Sequence, residues 1–387
     1  MAASEGVYSA LARLERALLG DPELRRELDL DPEEERLALA DPGCRRSSPS
    51  SRLDGFFTDR LRYVEYNAES PAGMAYADAL TAAFDALPVM KAFRRRYRIR
   101  RMPVRQRQLA VMLRAFRQWG GGERPSAALV DWTGLPTAAE HAMFREYFES
   151  RGVPTVICDP HELEFGGGKL TAKGRPVNLV YRRVLISELL ERGRPVAALA
   201  EAYAAGAVCV VNTFRAKLLH KKMSLALLSD DRYGRLYSAS QRAAIAAHVP
   251  WTRKLRNGPS TYRGRRVRDL VAHVLKHRQR MVLKPNDEYG GKGVVLGWTV
   301  ADSAWEREVQ AALESSYVVQ EAVPVPREPF PVAVDGVHYM DLAIDMDPYL
   351  FDGHVSGCLT RLSSSALLNV TAGAGSVVPT YLVEGVA

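Results

Sequence analysis

No run of the 387 residues is apolar for long enough to cross a bilayer. Cysteine is scarce: Cys44, Cys158, Cys209 and Cys358 are scattered, with neither zinc-ligand nor CxxC spacing. The eight histidines fall in no metal-ligand spacing either. The first residues carry Glu5, Arg13, Glu15 and Arg16 on an apolar-periodic stretch, which does not read as a secretory signal. Nor does the chain hold an internal repeat, a low-complexity tract, a nucleophile elbow or a catalytic-cysteine signature. These absences exclude a disulfide scaffold, a zinc module and the common hydrolases. The expectation they leave is a reduced, cytoplasmic protein with no membrane partner.

Length and charge are the first positive signals. A chain of this length outgrows one simple core and implies two or three lobes. Net charge is +8, which suits anionic ligands without naming one. Its densest basic cluster runs from Arg94 to Arg101 and on to Arg105 and Arg107. Tyr97 within it is available to stack on a base, as in a nucleic-acid patch. A solvated helix end reads the same residues more simply, and with no nucleic-acid motif beside them nucleic acid is not expected as a partner.

Periodicity divides the chain. Residues 1–42 read as helices with solvated faces, and the serine-rich Gly43–Ser51 stretch as a flexible connection. Gly55–Phe57 and Leu61–Asn67 read as two strands joined near Thr58-Asp59-Arg60, and Ala75–Tyr97 as helix. Ala127–Trp132, Thr137–Arg151 and Val153–Asp159 then follow the strand, helix, strand rhythm of a parallel sheet, with a hairpin expected over Lys169–Tyr181. The tail returns to an α/β pattern, with strands at Met281–Lys284, Gly293–Trp298 and Tyr317–Val323. The class expected is α/β or α+β.

Three stretches carry chemistry. In Met281–Val294 a strand delivers Lys284, and Gly290-Gly291-Lys292-Gly293 then turns into a second strand. Glycines let the backbone approach phosphate oxygens, and Lys284 adds a point charge. With no GK[ST] opening a helix it is not a Walker A loop, and joining two strands it is not a Rossmann fingerprint; a plain glycine hairpin with a surface lysine fits equally. The strand Tyr317–Val323 ends in Gln320-Glu321, where backbone groups up to Val323 are able to bond an adenine edge. A buried strand with a polar end is just as common. Finally, Glu65 and Asn67, two apart on a strand, face the same side. If Asp54 lies on the adjacent strand, three hard oxygen ligands suited to Mg²⁺ converge. An alternating surface strand remains the other reading.

Together, Arg52-Leu53-Asp54, Glu65-Tyr66-Asn67-Ala68-Glu69-Ser70, Lys284 with its glycine loop and Gln320-Glu321 resemble an ATP-grasp active site. The acidic metal set precedes the nucleotide lysines, an order similar to the glutathionylspermidine synthetase family and its circularly permuted ATP-grasp relatives. The resemblance covers the chain from about Arg52 onward. It implies a permuted ATP-grasp fold with a βαβ-type parallel-sheet lobe and an N-terminal helical extension. The corresponding segments are 1–45 for the extension, 46–120 for metal-binding strands and helices, 121–210 for a substrate-side lobe and 211–387 for the nucleotide-binding lobe.

The implied activity is ATP-dependent ligation of a small-molecule or peptide carboxylate to an amine through an acyl phosphate, the alternative being a nucleotide-binding protein of the same fold without ligase activity, as a regulatory or scaffold partner. By the resemblance Asp54, Glu65 and Asn67 bind Mg²⁺, as two ions. Arg52 and Arg361 stabilise the transferring phosphoryl group. Lys284 holds ATP phosphates with Lys221, or else Lys222, while Gly290, Gly291, Lys292 and Gly293 close over them and Gln320, Glu321 and Val323 meet the adenine. Ser70 sits near the acceptor substrate. Arg182, ending a strand with Arg183, is read either as a bidentate receiver of a substrate carboxylate or as a solvated strand end. Asn369 and Gly373-Ala374-Gly375 read as a turn near the site or a plain loop. Two departures stand out: the family's G-R-E-G loop here reads Gly290-Gly291-Lys292-Gly293, and the amidase half with its catalytic cysteine is missing. Substrate identity and oligomeric state stay open.

Overall fold

The computed structural model describes residues 1–122, 124–333, 335–365 and 375–384. Asn369, Gly373 and Ala374 lie outside the described residues.

Helices Ala2–Gly20, Pro22–Arg26 and Pro32–Leu39 open the chain. Asp21 and Asp31 cap the second and third, Asp31 in a reciprocal capping box with Glu34. Their apolar stripe (Val7, Leu11, Leu14, Leu18) does not stand apart: it packs with Leu53, Tyr63 and Tyr66 in one core. The Gly43–Ser51 stretch is not the flexible connection expected from its serines. Ser47, Ser48, Ser50 and Ser51 are all buried, and Thr213 and Asn212 bond to this segment through Ser47 O and Ser50.

The largest sheet is antiparallel and joins distant stretches of the chain. Its strand order is Arg327–Ala333, Val337–Ile344, His354–Ser363, Asp347–Phe351, Ser50–Phe57, Leu61–Asn67, with Gly375–Val378 pairing His354–Ser363 from the side. Ser50–Phe57 is thus held between its hairpin partner and a C-terminal strand: Arg52 opposes Asn67 on one side and Tyr349 on the other. A bulge between Asp54 and Gly55 twists the hairpin. Glycine is required there, because a Cβ on Gly55 would meet Arg62 O at 2.6 Å.

A second, parallel sheet has the order Cys209–Val211, Leu179–Arg182, Ala127–Val130, Thr155–Cys158, with helix Ala138–Ser150 crossing over as the strand–helix–strand rhythm predicts. The hairpin expected over Lys169–Tyr181 is shorter, pairing Lys169–Ala172 with Arg175–Val177, because Leu179 onward joins the parallel sheet instead. A third sheet orders Thr252–Lys254, Tyr317–Glu321, Met281–Pro285 and the short Val295–Leu296, backed by helices Leu270–Lys276 and Asp302–Leu313. No helix among the described residues is long and apolar enough to cross a membrane.

The helix expected over Ala75–Tyr97 breaks into Met74–Asp85 and Pro88–Arg94, since Pro88 starts a new helix rather than continuing one. Much of the basic cluster beyond it is internally neutralised. Asp85 pairs with Arg94 and Arg101, Asp78 with Arg105, and Glu384 with Arg98 and Arg100.

The sheets are locked together by a buried charge knot. Arg182, at the end of a parallel strand, is fully buried and reaches Glu69 at 3.0 Å, with Val184, Asn212 and Thr213 carbonyls taking its other donors. Lys217 reaches Glu69 at 3.1 Å and Asp287 at 2.7 Å. Neither sequence reading of Arg182 describes this placement: its guanidinium is neither solvated nor open to a substrate, because Glu69 and three carbonyls enclose it. Removing Arg182 leaves Glu69 to Lys217 alone and takes the donor from three buried carbonyls, so Arg182→Met should lower unfolding free energy by about 3–5 kcal/mol. Urea denaturation checks this; a loss under about 1 kcal/mol would contradict the knot's structural role.

Candidate active site

Alternation along the hairpin decides what faces outward. Leu53 and Tyr66 point into the helical core, so Arg52, Asp54, Glu65 and Asn67 share the opposite face, with Asp54 directly opposite Glu65. Arg52 grips Asp54 bidentately at 2.7 and 2.8 Å and donates to Ala72 O at 2.8 Å. Asn67 Nδ2 donates to Asp54 at 2.9 Å.

Arg361, from strand His354–Ser363, reaches the same place. It contacts Asp54 at 3.1 Å, Asp347 at 2.8 Å and Asp345 at 2.6 Å. Burial pushes Asp54 upward, but Arg52 and Arg361 outweigh it and hold the carboxyl below its ordinary range. Burial instead wins at Asp347, with Asp54 and Asp345 adding to it against Arg361, and holds that carboxyl well above the carboxylate range. Sequence reasoning missed Asp345 and Asp347. The signal was present, since Asp345-Met346-Asp347 puts two carboxylates on one side of an extended chain, the same logic that pairs Glu65 with Asn67.

From the third sheet, Lys284 crosses to this hairpin: its Nζ donates to Val64 O at 3.1 Å and to Gln320 Oε1 at 2.7 Å. Gln320 is in turn fixed by donating to Thr252 Oγ1 at 3.0 Å. Burial, reinforced by Lys222, lowers Lys284 to about 8 against the pull of Glu65 and Asp54. Lys222 Nζ sits 3.1 Å from Glu65 Oε1. Burial and Asp54 push Glu65 up, yet Lys222 and Lys284 hold it below its ordinary value. Of the two candidate lysines, Lys222 is therefore the one beside the hairpin. Lys221 turns the other way, to Glu34 at 2.7 Å and Asp29 O at 3.0 Å. Asn286 fixes this divergence: its side chain accepts from Met223 N, and its carbonyl from Lys222 N.

The remaining candidates divide. Gly290, Gly291 and Gly293 all take positive φ, the turn geometry only glycine adopts cheaply, and Tyr289 beside them donates to Glu188 at 3.1 Å. Lys292 is exposed and pairs with Glu288. Glu321 alternates away from Gln320, and its Oε1 accepts from Tyr262, Arg263 and Arg280, each at 2.7 Å. Val323 borders a cavity of about 620 Å³ between this strand end and the Thr58–Arg62 turn. Ser70 is half-buried on a loop whose carbonyls are pinned on both sides, Ala68 and Glu69 by Asn212, Pro71 by Arg183.

The donor chemistry at the hairpin fits a hard divalent cation. Glu65 and Asp54 present carboxylates on one face, both Asp54 oxygens already accepting from Arg52 and one of them also from Arg361, and Asn67, donating through Nδ2, has its Oδ1 for a ligand. Glu69, His220 and Asp287 also converge, but the Lys217 ammonium already bridges Glu69 and Asp287 there.

A family model described as circularly permuted ATP-grasp type 2 matches residues 57–363, so Arg52 and Asp54 fall just before the matched span. Among curated proteins none matches. Among the solved structures that match, two show the shared fold over nearly the whole chain. A glutathione synthetase-like effector of Globodera pallida aligns with TM-score 0.58 at 13% identity, covering 97% of this chain and 86% of that one. A candidate gamma-glutamylcysteine synthetase of Methylobacillus flagellatus aligns with TM-score 0.52 at 12% identity, covering 96% and 87%.

Lys284 generates a pH prediction. Were a triphosphate to bind this ammonium, the free protein, which loses that proton above about 8, would have to regain it. Affinity for ATP without added metal should therefore fall as pH rises through this value, and Lys284→Met should bind more weakly with a flatter profile. Calorimetric titration on both sides of the midpoint checks it; unchanged wild-type affinity contradicts it.

Proposed function

This chain belongs to the circularly permuted ATP-grasp family of ATP-dependent ligases, and from that premise we propose that it joins a carboxylate to an amine in a Mg²⁺-dependent reaction. The observation that carries the reading is the meeting of the hairpin carboxylates with the two lysines. Glu65 lies 3.1 Å from Lys222, and Lys284 touches the carbonyl of the residue preceding Glu65. Oxygen ligands for a cation and ammonium groups for phosphates thus meet at one hairpin, as phosphoryl transfer requires.

In this reading the substrate carboxylate attacks the γ-phosphate of ATP, forming an acyl phosphate and releasing ADP. The amine then attacks the acyl carbon, and phosphate leaves as the amide forms. Asp54, Glu65 and Asn67 would hold Mg²⁺, which would supply positive charge beside the phosphate oxygens. Lys284 and Lys222 hold the phosphates, Lys222 taking the place the family resemblance gave first to Lys221. Gln320 orients Lys284 by accepting a hydrogen bond from its ammonium at 2.7 Å. Arg52 and Arg361, both anchored on Asp54, stabilise charge on the group in transfer.

The glycine loop, docked through Tyr289, excludes water from the acyl phosphate. The backbone near Val323 receives the adenine, and Ser70, on its pinned loop, faces the acceptor. Both substrates are small molecules or peptides, and the site is read as cytoplasmic. Arg182 takes no part, being enclosed by Glu69.

Glu65→Gln keeps the shape of the side chain and removes its charge. Mg²⁺-dependent ADP formation, assayed against a panel of acids and amines, should fall about 100-fold or more with the melting temperature nearly unchanged. Undiminished turnover in that variant would remove the metal assignment.

A further inference from the structure

A second cavity, of about 460 Å³, opens at the free edge of the third sheet beside strand Thr252–Lys254. Its buried arginine lies off the proposed nucleotide site. Arg253 pairs with Val319, which pairs with Leu283, so Arg253 enters from the helix-covered face, opposite the face that carries Lys284 and Gln320. The volume falls in the range of small-molecule sites.

The lining has two halves. Met223, Ala226 and Leu227 of helix Met223–Ser229, with Leu270 across from them, make an apolar surface. The rest is basic. Three of the cations there are already satisfied: Arg232 by Asp230 at 2.7 Å, Arg256 by Glu27 at 3.2 Å, and Lys254 by Asp29.

Arg253 and Arg266 are not. Among the described residues neither has a carboxylate within ion-pair distance. Arg253 is only 4% exposed. Its Nη atoms donate to neutral oxygens alone, on Ser229, Thr252 and Thr261, and its Nε has no partner. Burial accordingly lowers its pKa, with Asp230 and Asp231 opposing too weakly to reverse the shift. Arg266 is exposed at the mouth, on strand Arg265–Val267. A buried guanidinium without a counter-charge is costly, and an anion arriving from outside removes that cost. The planar fork suits a phosphate or carboxylate better than a spherical ion.

We infer that this cavity is a second ligand site, for a small organic anion that sets its charged group against Arg253 and Arg266 and its apolar body against Met223, Leu227 and Leu270. It binds whether or not the nucleotide site is functional.

The test is calorimetric titration of the full chain with three probes: phenyl phosphate, phenylacetate and inorganic phosphate. To separate this site from the nucleotide site, the same titrations are run on Lys284→Met. At least one aromatic anion should bind saturably to both proteins, and about tenfold more tightly than inorganic phosphate, which lacks the apolar body. Which of the two binds better assigns the charged group as phosphate or carboxylate. Arg266→Ser, an exposed substitution, should weaken that binding about tenfold, and Arg253→Lys, which keeps the charge but loses the fork, should weaken it further. The inference is overturned if neither aromatic anion binds, if inorganic phosphate binds as tightly, or if Lys284→Met abolishes binding that Arg266→Ser leaves intact.

Discussion

The pairing of Ser50–Phe57 with both Leu61–Asn67 and Asp347–Phe351 is the constraint on which the site depends. One strand near the start of the chain is hydrogen-bonded on each edge, and its register sets the face of every residue it carries. With Leu53 turned into the helical core, Arg52 and Asp54 must face the other way, where Arg361 arrives from a strand about three hundred residues later. A slip of one residue would exchange the faces and bury the wrong set. Gly55 protects the register by allowing the bulge, since any side chain there would strike the Arg62 carbonyl.

Electrostatics then keeps this face charged. Asp54, Asp345 and Asp347 crowd around Arg361, and Arg52 shares Asp54 with it. Like charges so close are tolerated only with cations between them. The consequences differ by residue: Asp54 stays ionised because two guanidinium groups face it, whereas Asp347 is driven toward its neutral form by burial. On the third sheet, Lys284 is desolvated and poised to lose its proton near pH 8, so an anionic ligand would meet a cation that gains from its arrival. The Glu69 knot holds the two halves of this arrangement at a fixed separation, joining the loop after the hairpin to the parallel sheet and to the segment that bears Lys221 and Lys222.

Much of this was legible in the sequence because the signals were local. The two-residue spacing of Glu65 and Asn67, the lysine-strand-glycine order around Lys284 and the strand–helix–strand rhythm near Ala127 each follow from backbone periodicity. Long-range pairing was not legible. Lys221 and Lys222 are adjacent, and only the bond from Lys222 N to Asn286 O determines which one turns to Glu65. Arg182 ends a strand, yet the buried carboxylate that claims it lies more than a hundred residues earlier. The serines of Gly43–Ser51 look like a linker by composition, while the partners that bury them, Asn212 and Thr213, come from a distant turn.

The most direct test is a crystal structure with a non-hydrolysable ATP analogue and Mn²⁺, whose anomalous signal locates the metal. The account predicts metal peaks between the oxygens of Asp54, Glu65 and Asn67 and the triphosphate, with Lys284 and Lys222 on the phosphates. A nucleotide seated elsewhere, or metal peaks away from this hairpin, would contradict it.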